Sequence, residues 1–184
     1  GTKEGDRAPN IIGKAYNGNG WQNFDLSTYY DFEWSLENNN TTDSQWVMIE
    51  FLDTDCPYCF SSTAEYEQAS QYFASDNPES PWNGPHVSFI ASAAELTGLN
   101  GHESSREEIM AFRDKTPGEM CNSGNVDCSD REGGPFKIPF IDDLDKSHMN
   151  KWGIGGTPTY FLIQPDGIIA WSSFDHQDEK FYDA

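Results

Sequence analysis

The run Trp46-Val47-Met48-Ile49-Glu50-Phe51-Leu52 constrains this chain more than any other stretch. It is nearly continuous in apolar residues and of strand length, as expected for a central strand covered on both faces. Such a strand needs helices above and below the sheet, which points to an α/β architecture. The next segment fits that expectation. Pro57 stands just inside a helix start, and Ala64, Tyr66, Glu67, Ala69, Ser70 and Phe73 continue the pattern until Asn77-Pro78 and Pro81 stop it. His86 to Ala91 reads as a second strand. Ser104 to Lys115 reads as a helix, with Ser104 and Glu107 spaced as a capping box.

The two ends add strands of another kind. Ala8 to Gly13 and Trp21 to Leu26 flank the turn-rich Asn17-Gly18-Asn19-Gly20, which predicts an N-terminal hairpin. Near the other end, Phe140-Ile141 reads as a short strand and Lys146 to Trp152 as a short helix. Thr159 to Ile163 and Gly167 to Trp171 are joined by Gln164-Pro165-Asp166-Gly167, a tight turn that makes them an antiparallel pair. The sheet is therefore expected to be mixed. A length of 184 residues suits one domain over 1–184. Insertions are expected near 36–45, a polar tract, and near 117–135, which is punctuated by Gly and Pro and reads as irregular. The tail from Ser172 to Ala184 is short for a closing helix.

Charge excludes some partners. Eleven Lys and Arg against 31 Asp and Glu leave a formal charge of −20, so nucleic acid and anionic membrane surfaces would be repelled. The acids are spread along the chain without a long run, which describes a solvated surface. The apolar runs are far shorter than the roughly 20 residues of a spanning helix. Opening on Gly1-Thr2-Lys3 with no apolar leader, the chain reads as a processed form. Any membrane contact is expected only through an anchor missing from it.

Cys56-Pro57-Tyr58-Cys59 comes directly after the buried strand and opens the helix, the context in which a CxxC pair acts in redox chemistry. A thiolate at a helix N-terminus faces unpaired backbone N–H groups, which lowers its pKa and raises its nucleophilic fraction. Cys56 is thus the expected attacking thiol. Cys59, one turn further in, is placed to resolve a mixed disulfide. A purely structural CxxC disulfide is one alternative, and a zinc site completed by Cys121 and Cys128 is another. The spacing of Cys121 and Cys128 is wider than a zinc knuckle, and a structural disulfide closing their Gly- and Asn-containing loop is the favoured reading. No cofactor is expected.

These residues resemble the thioredoxin-like proteins of the redoxin and TlpA type. The likeness rests on Gly5-Asp6-Arg7-Ala8-Pro9-Asn10, on Glu50-Phe51-Leu52 ahead of Cys56-Pro57-Tyr58-Cys59, and on Trp152-Gly153-Ile154-Gly155-Gly156-Thr157-Pro158-Thr159-Tyr160-Phe161-Leu162-Ile163. It implies a three-layer thioredoxin-like fold, a mixed central sheet flanked by helices with the N-terminal hairpin added. It implies thiol-disulfide exchange with protein dithiols and disulfides, served by an electron-donor or acceptor protein. It also implies that Pro158 is cis and faces the CxxC, so that Thr157 and Pro158, with Pro57 and Tyr58, form the substrate face. Glu50 occupies the place of the buried acid beneath the active site, where burial raises its pKa and suits it to exchange a proton with Cys59. An extracytoplasmic location, periplasmic or at the cell surface, is implied by the same resemblance.

The pattern has departures and rivals. Asp55 stands where Trp is common, and with Asp53 it is expected to oppose thiolate formation at Cys56. A peroxiredoxin would carry Thr and Pro where this chain has Asp53 and Ile49. A glutaredoxin would carry a Gly-Gly-x-x-Asp segment after its proline, and none comes after Pro158. The rival of another class is a copper-binding chaperone using Cys56, Cys59 and His148. A non-catalytic docking module is the third reading. His86, His102 and His176 show no metal-ligand spacing and read as surface or core residues.

Overall fold

The computed structural model describes residues 1–38, 44–96 and 102–184. The centre of the polar tract near 36–45 lies outside them. In chain order the strands are β1 (Ile12–Tyr16), β2 (Trp21–Asp25), β3 (Gln45–Leu52), β4 (His86–Ala94), β5 (Met120–Cys121), β6 (Val126–Asp127), β7 (Phe140–Asp143), β8 (Thr159–Ile163) and β9 (Ile169–Ser172). The helices are α1 (Pro57–Ser61), α2 (Thr63–Tyr72), α3 (Arg106–Asp114) and α4 (Ser147–Lys151).

Seven strands form one sheet in the order β2-β1-β7-β4-β3-β8-β9. β3 runs parallel to β4, and β4 to β7, while β8, β9 and the β1–β2 hairpin are antiparallel to their neighbours. The mixed sheet and both hairpins match the sequence expectation, with the first strand starting at Ile12 rather than near Ala8.

Alternation along β3 explains the layers. Met48 and Leu52 face one apolar cluster with Tyr66 of α2, Ile109 and Phe112 of α3, and Cys59 of α1. Val47, Ile49 and Phe51 face another with Met149 of α4, Trp152 and Phe161. With both faces covered, the near-continuous hydrophobicity of β3 has its cause. Glu50 shares the face of Met48 and Leu52, so a carboxyl is carried into the first cluster by the period-two geometry of the strand.

Local chemistry corrects several boundaries. The helix expected from Pro57 onward breaks at Ser62 into α1 and α2. The cap of α3 is Ser105, one residue after the expected Ser104, and its side chain accepts a hydrogen bond from the Glu108 amide (3.1 Å). Ser104 instead turns its hydroxyl to the Asp55 carboxylate (2.8 Å). Losing a serine cap costs about 1 kcal/mol, so Ser105→Ala should lower stability by that amount in a denaturant melt while Glu107→Ala, outside the cap, should leave it within about 0.5 kcal/mol.

The 117–135 segment carries the expected disulfide between Cys121 and Cys128, both fully buried, and adds to the irregular backbone expected there the short β5–β6 hairpin. It also delivers Arg131 into the core at 1% exposure. The Arg131 guanidinium donates to the carbonyls of Phe112, Arg113, Glu132 and Gly134 and lies against the rings of Phe112 and Phe136. Burial pulls its pKa down to about 10. Near the end of the sheet lies a single 3-10 turn, Phe181–Asp183, whose Phe181 packs on Tyr66 and Tyr160.

Candidate active site

β3 ends where the sheet meets α1, and the loop between them carries Asp53, Thr54 and Asp55 to Cys56. Cys56 is the N-cap of α1, with extended backbone (φ −79°, ψ 123°), and Pro57 takes the first helical position. The proline loses nothing there, because a first-turn N–H has no partner within the helix. Cys56 is half-buried and Cys59 is buried at 1% exposure, and neither is in a disulfide.

Opposite them, the Thr157–Pro158 peptide bond is cis. The Cys56 Sγ lies 3.6 Å from the Thr157 carbonyl oxygen. The Thr157 hydroxyl is buried without a hydrogen-bond partner of ordinary geometry among the described residues. It is therefore a donor available to a sulfur anion. Beside these residues runs a groove lined by Tyr58, Gly156, Thr157, Pro158, Phe174 and His176. Tyr58 stands out from it at 75% exposure.

The two thiols are driven apart electrostatically. A hydrogen bond from Cys59, helped by Thr157 and by the backbone N–H groups of Cys59 and Tyr58, holds Cys56 down to about 5 against the opposing effect of burial. Burial first, then that same hydrogen bond and the charge of Glu50, push Cys59 well above the ordinary thiol range. The expected opposition from Asp53 and Asp55 does not prevail: Asp53 and Cys56 do repel each other, but the hydrogen bonds to the Cys56 sulfur outweigh that, and both carboxylates have other hydrogen-bond donors. Asp53 accepts from the amides of Asp55 (2.8 Å) and Leu96 (2.9 Å), and Asp55 from the Ser123 amide (2.9 Å) and the Ser104 hydroxyl.

Glu50 lies below the cysteines at 3% exposure, and burial pushes its pKa up to about 8. Its cross-strand partner in the β3–β8 register is Tyr160, which hydrogen-bonds the carboxyl and is itself raised by burial. Tyr160 carries no motif in the sequence, although its place in the alternation of Thr159-Tyr160-Phe161 puts it on the Glu50 face. The structure thus brings Cys56, Cys59, Glu50, Thr157, Pro158, Pro57 and Tyr58 to one end of the sheet. His148 does not join them. It sits on α4, against Gly13 of β1, and among the described residues it forms no ligand group with Cys56 and Cys59.

The likeness of this chain to known proteins lies in the fold and not in the sequence. No family model matches the chain, and no curated protein matches its sequence. Solved structures similar to it include a reduced 2-Cys peroxiredoxin of Plasmodium vivax, at 16% identity and a TM-score of 0.59 over 92% of this chain and 83% of that one. Another is the thioredoxin domain of a thiol-disulfide oxidoreductase from Bacteroides vulgatus, at 14% identity and a TM-score of 0.52 over 92% of this chain and 87% of that one. A third is DsbF of MTB in mixed oxidised and reduced forms, at 14% identity and a TM-score of 0.52 over 86% of this chain and 80% of that one. At such identities the likeness is one of architecture, and the chain has the thioredoxin-like fold that these redox proteins share.

Proposed function

We propose that this protein is a thiol-disulfide oxidoreductase acting on protein dithiols and disulfides, with Cys56 as nucleophile and Cys59 as resolving thiol. The observation that carries the reading is the asymmetry of the pair: an accessible Cys56 at the helix N-cap beside Thr157, and a buried Cys59 behind it. In the reducing direction the Cys56 thiolate attacks one sulfur of a client disulfide and the other sulfur leaves as a thiolate. Cys59 then gives up its proton, attacks Cys56 Sγ, and releases the client's second sulfur. Two electrons pass to the client and the Cys56–Cys59 disulfide forms.

Glu50, buried beneath the pair, is the group we assign to accept the Cys59 proton. Thr157 and Pro158 are assigned to the client backbone, with Tyr58 lining the same groove and Pro57 next to it in sequence completing the substrate face. The Cys121–Cys128 disulfide supports an oxidising, extracytoplasmic setting. Among the described residues no helix is long and apolar enough to cross a membrane.

Equilibration in graded redox buffers, with alkylation and mass counting at each potential, tests the assignment. Cys56 and Cys59 should titrate together as one two-electron couple, with Cys121 and Cys128 oxidised throughout. A CxxC pair that never cycles would leave a metal-binding or docking role in its place.

A further inference from the structure

The motif's neighbour Asp55 belongs to a second cluster that thiol exchange does not use. His102 Nε2 lies 2.8 Å from Glu108 Oε1 and 3.4 Å from Asp55 Oδ1. Both acids are 2% exposed. Their carboxyl groups also approach each other within hydrogen-bonding reach. Two buried acids brought face to face repel unless one of them holds a proton or a positive charge lies between them. Among the described residues neither forms an ion pair with a lysine or arginine; their one basic partner is His102.

Each donor is also held from behind. Thr54 Oγ1 donates to Glu108 Oε2 (2.9 Å), and Ser104 Oγ donates to Asp55 Oδ2 (2.8 Å). A ring N–H of His102 donates to the Met120 carbonyl. That donor is Nδ1, since Nε2 faces the two acids. Outer partners of this kind, a hydroxyl behind each carboxylate and a backbone carbonyl behind the imidazole, are what orient ligands at a metal centre. Zinc bonds of about 2.0–2.2 Å to nitrogen and oxygen place adjacent tetrahedral ligand atoms roughly 3.3–3.6 Å apart. The His102–Asp55 separation of 3.4 Å meets this, while the hydrogen-bonded His102–Glu108 pair at 2.8 Å would have to open on metal binding.

We infer that Asp55, His102 and Glu108 form a binding site for a divalent transition-metal ion of the zinc class. Imidazole selects such ions over magnesium or calcium, and the two carboxylates neutralise a double positive charge in a buried site. Asp55 is covalently next to Cys56, so metal loading would tie the loop before the nucleophile to α3 through Glu108. The sequence carries no spacing signal for this set, since 47 residues separate Asp55 from His102 and the fold alone brings them together.

The test is zinc binding, measured by competition with a chromophoric chelator on protein whose Cys56–Cys59 pair is oxidised beforehand, so that no CxxC thiolate can bind. One equivalent should bind. His102→Gln should weaken it at least tenfold, and Thr54→Val, which removes only an outer partner, by about 10- to 100-fold. Cobalt(II) in place of zinc should show d–d bands without a thiolate-to-metal charge-transfer band. Thermal melts establish that each variant is folded, and Ser104→Ala, expected to weaken binding in the same way, serves if His102→Gln is not. The inference is overturned if the oxidised protein takes up no zinc at millimolar concentration. Undiminished binding by folded His102→Gln, or a thiolate band with cobalt, overturns it equally. Redox cycling counted in the same samples tests the oxidoreductase reading independently, because the metal site uses neither Cys56 nor Cys59.

Discussion

Cys59→Ser should lower turnover by about a thousandfold or more and accumulate a covalent complex in which Cys56 is joined to the client, because the first attack survives and the resolving step does not. Cys56→Ser should lose turnover to the same degree and trap nothing. Mass spectrometry of a quenched reaction separates the two, and equal trapping by both variants would refute the division of roles. The same assignment sets a pH profile. With Cys56 held near 5 and Cys59 buried and raised, the alkylation rate of Cys56 in the reduced parent protein should already be on its plateau at neutral pH. An inflection near 8 or 9 would mean an ordinary thiol.

The linkage to stability has a definite sign. The folded pKa of Cys56 is depressed below its ordinary value of 9.0. Its thiolate therefore stabilises the reduced protein above pH 9, and this contribution is lost as pH falls through about 5. The oxidised protein has no such contribution. Relative to the oxidised protein, the reduced protein therefore loses stability with acidification across that window.

Glu50→Gln should act in the opposite sense. The folded pKa of Glu50, about 8, lies above its ordinary value of 4.5 because the carboxyl is buried. The folded protein holds that proton more tightly than the unfolded chain. The benefit is complete below pH 4.5 and is lost as pH rises through about 8. Glutamine carries no proton to lose, so Glu50→Gln should be more stable than the parent by about 3–5 kcal/mol at pH 9 and nearly equal at pH 4. Denaturant melts of the oxidised protein at both pH values measure this, and a difference independent of pH would sink the claim. Resolution by Cys59 should also slow, since the amide cannot accept its proton.

Much of the fold is legible because it is written in local signals. The apolar run of β3, the turn at Asn17-Gly18-Asn19-Gly20 and the turn at Pro165-Asp166-Gly167 each specify their element within a few residues. Boundaries shift where tertiary partners decide them: Ser104 resembles a cap in sequence, but Asp55 claims its hydroxyl and the cap passes to Ser105. The segment 117–135 holds more than expected for a related reason. Its Gly and Pro content signals irregular backbone, while the burial of Cys121, Cys128 and Arg131 depends on contacts with α3 that local composition does not encode. At the candidate site, Cys56, Cys59 and Pro158 carry recognisable motifs. Tyr160, His102 and Glu108 do not, because they arrive through strand register and loop packing.

Arg131 gives that segment a standing its loop-like composition conceals. Two of its hydrogen bonds end on the carbonyls of Phe112 and Arg113 in the last turn of α3, groups that a helix cannot satisfy by itself. The other two brace the segment's own return path at Glu132 and Gly134. A chain shortened here would not merely lose an ornament on a finished scaffold. The Arg113 carbonyl would keep the Phe136 amide as a donor, but the Phe112 carbonyl would lose the guanidinium inside an apolar interior, so trimming this excursion is an operation on the foundation of the domain.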